Sequence, residues 1–519
     1  MRSKIEKSVD QSQTKFGQID IANIQIDFES RDQIPQILLG LQYLYKEKEY
    51  LFQALELLDQ DIHLHRSVRS DLGREGMSLW QILVCGVLRV NNNWDYDHLE
   101  NMVSSHREIR QMLGFGFWDD DQWLARRRLI ANLSLVSNET YDKISSLIAR
   151  AGHRFLGVEE EELNTRVDSF VLESHIHHPT DSNLLMDSIR KMIMVIILLE
   201  GLLGHPIIGQ SKKELKAVKA LFNKIRKMRK SNAKKEATRK RREQEIIEAH
   251  QAFLGKIMDL MTRVRRVFDK LPEELLKDDL IAMEISQLSG YMDCVDYQID
   301  LVDRRVLKGE TIPQHDKIYS IFEYYAQWIS KGKAKAPVEL GLRVAVMDDQ
   351  FGFILHSEVM YKSVEEIMES VRAEELTRDQ VTKDQITDEK IAVPFAKEAL
   401  NKFPNISKIS FDKGFHTIDN QKELPKLIPN VALPKKGKLS NEEKERQATD
   451  IFIQSRKRHS GIESAIHALE NHGLDICPDR GLSAFRRYVA GAVLARNLQV
   501  LGSHIRKRYL EEVKVKKAA

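Results

Sequence analysis

Cysteine is scarce. The 519 residues hold three, Cys85, Cys294 and Cys477, far apart and with no Cys-x-x-Cys pair. That excludes a disulfide framework and a cysteine zinc ribbon, and it fits a reducing cytoplasm. Long apolar runs are missing too. The most apolar stretch, 192–204, is too short to span a bilayer, carries Glu200 and follows Arg190 and Lys191. It reads as a buried helix, and no membrane partner is expected. The first residues, with Arg2, Lys4, Glu6 and Lys7, lack the apolar core of a signal peptide. No internal repeat is found. An excess of one charge sign is missing only on average. The net charge is +3, yet residues 211–242 hold 15 Lys and Arg against two Glu, a local +13 that leaves −10 elsewhere. A basic segment on an acidic remainder is the footprint of a nucleic-acid contact.

What is present is a set of periodic segments that change character along the chain. Residues 31–60 have the apolar spacing of an amphipathic helix (Ile37, Leu38, Leu41, Leu44, Leu51, Leu55, Leu58). Residues 77–90, 95–113 and 121–135 read as three helices, with Asp119–Asp121 available to cap the third. That third helix carries Arg126, Arg127 and Arg128 beside Trp123, and a short Gly-containing link precedes it, so a helix-turn-helix DNA reader is expected. A first strand is read at 165–172, followed by a helix from about 183 capped by Thr180 or Asp181. Residues 183–330 read as almost wholly helical. Leu215, Val218, Leu221, Phe222 and Ile225 suggest a helical hairpin or coiled coil under the basic stretch. The period then becomes strand-like. Residues 340–347 and 353–360 form a hairpin around Asp348-Asp-Gln-Phe-Gly352. A helical region at 363–403, strands at 406–411 and 430–433, and long helices at 447–471 and 482–504 complete the pattern.

This order predicts an α/β fold. The catalytic core is expected to be a five-stranded mixed sheet of RNase H type, interrupted after its first strand by a helical insertion, with an all-α N-terminal region. The expected divisions are an N-terminal helical segment (1–70), a helical DNA-binding domain (71–160), the first part of the core (161–182), a basic helical insertion (183–335), the rest of the core (336–504) and a basic tail (505–519).

Three carboxylates carry the chemistry. Asp168 lies on the first strand, Asp412 closes the strand 406–411, and Glu463 lies on a later helix. In the expected topology the two aspartate strands are neighbours and the glutamate helix crosses the sheet edge, so all three meet. Mg²⁺ takes near-octahedral oxygen ligands and keeps several waters, so a few carboxylates and substrate phosphates suffice. Two Mg²⁺ ions, or Mn²⁺ in their place, are expected: Asp168 bridges them, Asp412 completes one and Glu463 the other. Asp348, Asp349, Glu173, Asp181 and Glu470 are explained more simply by turns, caps and helix surfaces. His175, His177 and His178 on an extended run do not form a tetrahedral zinc set. Phosphate contacts are expected from Lys227, Arg229, Lys230, Arg239 and Arg241 in the basic stretch. Lys413, His416, Lys435, Lys436, Arg456 and His459 are expected around the triad, the last two sharing a helix face with Glu463.

The segments Arg166-Val-Asp-Ser-Phe-Val-Leu-Glu-Ser-His-Ile-His-His-Pro-Thr-Asp, Ser410-Phe-Asp-Lys-Gly-Phe-His, Val431-Ala-Leu-Pro-Lys-Lys-Gly-Lys and His459-Ser-Gly-Ile-Glu-Ser-Ala-Ile-His-Ala-Leu-Glu resemble DDE-type insertion-sequence transposases of the ISNCY group. The similarity runs over about 72–505. It implies an RNase H-like core with Asp168, Asp412 and Glu463 as the triad. It also implies binding to terminal inverted repeats, Mg²⁺-dependent nicking that frees a 3′-hydroxyl, and attack of that hydroxyl on target DNA. The partners implied are double-stranded DNA, as element ends and target, and further copies of the chain in a homodimer or higher oligomer. The location implied is the bacterial cytoplasm at the nucleoid. Where many relatives carry Tyr, Arg and Lys around the glutamate, this chain has His459 four residues before and Glu470 seven after. A non-catalytic DNA-binding derivative and a structure-selective nuclease of the same fold are the competing readings.

Overall fold

The computed structural model describes residues 17–64, 76–119, 123–229, 236–313, 316–330, 338–361 and 386–518. Lys230, Asp120, Asp121, residues 1–16 and residues 363–385 of the expected helical region lie outside them. The chain forms two compact units, one of residues 1–175 with 327–519 and one of residues 176–326.

The first unit opens with helices α1 (Gln33–Lys46) and α2 (Lys48–Leu64), not the single helix expected over 31–60. Then come α3 (Leu79–Asn91), α4 (Tyr96–Ser105), α5 (Arg107–Met112), α6 (Arg126–Leu133) and α7 (Asn138–Leu156), the expected helix over 95–113 being two. Caps set their starts. Ser78 and Gln81 form a reciprocal capping box at α3, and Asp95 accepts from the His98 amide at 2.7 Å at α4, contacts worth about 1 kcal/mol each. These helices do not form a separate body. Their apolar faces share one core with the sheet: Leu41, Leu83, Ile144, Val167, Phe353, Phe411 and Leu498 belong to the same buried cluster.

The sheet is mixed and has seven strands, two more than expected: β1 (Leu163–Ser174), β2 (Gln327–Ser330), β3 (Val338–Asp348), β4 (Ile354–Val359), β5 (Ile406–Phe411), β6 (Asn430–Ala432) and β7 (Ile476–Cys477). The additions, β2 and β7, are short and lack the alternation that marks a strand in sequence. β1 is central. It pairs antiparallel with β3 and parallel with β5, and its last residues pair with β7. β4 and β2 both pair antiparallel with β3, and β6 runs parallel to β5. Helices α12 (Asp388–Lys402), α13 (Ile418–Leu427), α14 (Asn441–Gln447), α15 (Asp450–His459) and α16 (Gly461–Leu469) follow, and α17 (Leu482–Ala518) closes the unit. The helix expected unbroken over 447–471 is therefore two, parted at Ser460. Helix α17 packs on α1, α3, α7 and β4. Its Asn497 is fully buried and exchanges hydrogen bonds with the amide and carbonyl of Ile354, both 2.8 Å, which satisfies the start of β4.

The second unit is a helical bundle of α8 (Asp181–Leu203), α9 (Ser211–Arg229), α10 (Glu236–Phe268) and α11 (Asp279–Val302) with its own core. Thr180 caps α8. Val218 and Ile225 of α9 are buried against Phe253, Ile257 and Val264 of α10, with Leu215, Leu221 and Phe222 partly buried beside them. Glu200 turns inward and takes the Ile207 amide at 3.0 Å and the Ser211 hydroxyl at 2.8 Å, pinning the α8–α9 link. Among the described residues no helix is long and apolar enough to cross a membrane.

Candidate active site

Sheet register brings the two aspartates together. Val167 of β1 pairs with Phe411 of β5, and Asp168 and Asp412 are each the next residue along these adjacent parallel strands. Strands so paired lie about 5 Å apart. Glu463 stands in the first turn of α16, which packs on β1 and β3, where the helix dipole favours a carboxylate. Asp168 is half-buried; Asp412 and Glu463 are exposed, so the group opens to solvent on one side.

The electrostatics record the same convergence. Burial pushes the Asp168 carboxyl up to about 6, and the neighbouring charges of Asp412, Asp388 and Glu463 push the same way. The Ser169 amide, donating to Asp168 Oδ1 at 2.7 Å, opposes them. Asp388 is a fourth carboxylate that sequence reasoning missed. It starts α12, accepts from the Ser169 hydroxyl at 2.7 Å and pairs with Arg343 at 3.0 Å. An aspartate in the first turn of a helix is too common to single out from sequence.

Arg166 was also missed as a site residue. It lies two residues before Asp168, on the same side of β1. Its guanidinium makes a two-pronged pair with Asp348, its antiparallel register partner, through Nε at 2.8 Å and through Nη2. Nη2 also donates to the Asp349 carbonyl at 3.1 Å, and Nη1 to the Arg458 carbonyl at 3.3 Å. An arginine inside an apolar strand is the signal that could have found it. Asp348 thus ends β3 rather than forming the turn. Burial drives its carboxyl up to about 7 against the pull of Arg166. Asp349 does serve the turn: Oδ1 accepts from the Phe351 and Phe353 amides, while Oδ2 meets His153 Nε2 at 2.6 Å.

The expected phosphate contacts divide. Lys413 is exposed beside Asp412, and Arg456 is half-buried near His459. Lys435 is half-buried; Lys436 is exposed and pairs with Glu389 at 2.8 Å. His416 is half-buried, 3.1 Å from Gln421. His459 does not serve as a cation. It is buried with Nδ1 3.1 Å from the Ser410 hydroxyl, and burial holds its pKa down at about 4, so at neutral pH the ring offers phosphate no charge. Arg126 pairs with Asp97 at 2.9 Å, Arg127 is exposed and Arg128 is half-buried. In the second unit Lys227 and Arg229 are exposed; Arg239 and Arg241 are exposed and meet Glu243 and Glu245 one turn on, at 3.6 and 3.3 Å. Such exposed pairs are weak, at most about 1 kcal/mol, and yield readily to a phosphate.

His356, Glu358 and Glu398 form a tighter group of potential ligands, their atoms within 4.8 Å of one another, in a cleft of about 470 Å³. Proton bookkeeping opposes a metal there. Lys402, itself paired with Asp142 at 2.6 Å, can only donate to His356 Nδ1 at 2.9 Å. Nε2 therefore carries the proton and faces Glu398 at 3.3 Å. Of the three histidines after β1, His177 faces Asp187 at 3.3 Å, and none joins such a group among the described residues.

Asp168, Asp412 and Glu463 fit a divalent cation by their chemistry: an all-oxygen donor set suits a hard ion, and the Asp168 carboxyl, raised chiefly by burial and further by Asp412, Asp388 and Glu463, lies beside other negative charge that a cation would offset. No family model matches the chain, and no curated protein or solved structure matches it.

Proposed function

We propose that this protein is a DNA transposase that binds the terminal inverted repeats of an insertion sequence, nicks to free 3′-hydroxyl ends and joins them to target DNA. The observation that carries the reading is the triad: Asp168 and Asp412 side by side beyond the last residues paired between β1 and β5, with Glu463 near enough to act on Asp168. The strand order β4-β3-β1-β5-β6, with β5 and β6 parallel to β1 and β3 antiparallel to it, supports an RNase H-like core. On this reading the helical bundle is an insertion after the first strand.

Asp168, Asp412 and Glu463 would hold two Mg²⁺ ions, or Mn²⁺, which when bound supply activation of the attacking oxygen and stabilisation of the leaving one. The chain's own groups position the DNA. Lys413, Lys435, Lys436 and Arg456 hold phosphates near the triad, and the exposed cations of α9 and α10 hold duplex DNA. Arg126, Arg127 and Arg128 form a further contact on α6. Met194, Leu198 and Leu202, exposed one turn apart on α8, support self-association of the chain on DNA.

Strand transfer separates this reading from its competitors. Incubated with Mg²⁺, a pre-nicked end and a plasmid target, the wild type should yield end–target joints that Glu463→Gln does not. Nicking without joints would mean a nuclease; binding without either would mean a non-catalytic DNA-binding protein.

A further inference from the structure

We infer that Arg166 is a positioning residue that fixes the Glu463 helix against the strand carrying Asp168, with Gly461 as the socket that receives its guanidinium. The inference rests on the triad reading and deepens it. Two of the three carboxylates are placed by sheet hydrogen bonds, which fix Asp168 and Asp412 through register. Glu463 has no such anchor. Its helix lies across the sheet, and small shifts of α16 would move its carboxylate relative to both aspartates.

Arg166 supplies the link. Its Nε and Nη2 are held by Asp348, and Nη2 also by the Asp349 carbonyl, so the guanidinium plane is fixed by the end of β3. Asp348 is almost wholly buried, which keeps that end of the clamp from swinging. The remaining nitrogen, Nη1, donates to the Arg458 carbonyl in the last turn of α15. Two residues on, Ser460 joins α15 to α16, which begins at Gly461, and its backbone stays in the right-handed helical region. A Cβ on Gly461 would stand 1.9 Å from Arg166 Nη1 and 2.9 Å from Cζ. Only glycine leaves room for the guanidinium there. Glu463 follows two residues later, in the first turn. One side chain thus ties the Asp168 strand, the end of β3 and the start of the glutamate helix.

The test is the affinity of the full-length protein for Mn²⁺, followed by electron paramagnetic resonance, with Asp168→Ala as control. Loss of an outer group that orients a ligand costs about 10- to 100-fold in metal affinity, and this range is expected for Arg166→Gln. Because Arg166→Gln leaves Asp348 without its partner and can impair folding, Gly461→Ala is the second variant. It keeps every charge and by helix propensity alone would favour α16, yet it should weaken Mn²⁺ binding similarly by displacing the guanidinium. In a double-mutant cycle Gly461→Ala should cost little in a Glu463→Gln background. If Asp168→Ala abolishes tight Mn²⁺ binding while both Arg166→Gln and Gly461→Ala bind as wild type, the clamp is overturned and the triad stands. If Asp168→Ala binds Mn²⁺ as wild type does, the triad reading itself fails.

Discussion

Asp168 pays for its position in a way that can be measured without DNA. Its folded carboxyl titrates near 6 because it is buried and faces Asp412, Asp388 and Glu463. A carboxyl raised above its unfolded value near 4 stabilises the fold fully below pH 4, and that contribution is lost as pH rises through 6. In EDTA, Asp168→Asn should therefore be more stable than wild type at pH 7.5, by about 2–3 kcal/mol, and no more stable at pH 4. Denaturant unfolding at the two pH values checks this; an asparagine variant no more stable at pH 7.5 would show that Asp168 is not under strain. The approach of Asp168, Asp412 and Glu463 to one another was legible in sequence because two strand patterns end on aspartate and a helix pattern carries the glutamate. Arg166 and Asp388 were not. The main partners of Arg166, Asp348 and Arg458, lie 182 and 292 residues away, and Asp388 meets Ser169 across 219. The burial of His459 was not legible either. Its spacing from Glu463 puts it on a shared face, but spacing does not reveal that burial, with the nearby charge of Arg456, holds its pKa down.

Elements were read best where one period held. The β3–β4 hairpin, β5 and the basic helices followed the sequence closely, since alternation or heptad spacing dictates which face is buried. Boundaries were missed where a single residue divides two helices, as Glu47 divides α1 from α2 and Ser460 divides α15 from α16. Helices α9 and α10 put their apolar stripes into the bundle and leave Lys227, Arg239 and Arg241 outside. Cations so placed that touch phosphate release counterions. The triple variant Lys227→Glu, Arg239→Glu, Arg241→Glu should bind duplex DNA more weakly and lower the slope of log K against log salt by roughly one for each phosphate no longer neutralised. Fluorescence anisotropy over a salt series measures it. An unchanged slope would leave those charges as a solvated helix face.

At the scale of the molecule, topology turns distant sequence into one site. Asp168 and Asp412 are separated by the whole helical bundle in sequence and by one strand spacing in the sheet. Residues 71–160 were expected as a helical DNA-binding domain. Their apolar faces share one buried core with the sheet. On the proposed reading the three carboxylates act on DNA as one metal-dependent centre. The most direct measurement is cleavage of a labelled duplex bearing the inverted repeats that flank the coding sequence, with Mg²⁺, comparing wild type with Asp412→Ala. The wild type should nick at the repeat end, and EDTA and the substitution should abolish nicking while DNA binding persists. Equal nicking by the Asp412→Ala variant would contradict that reading.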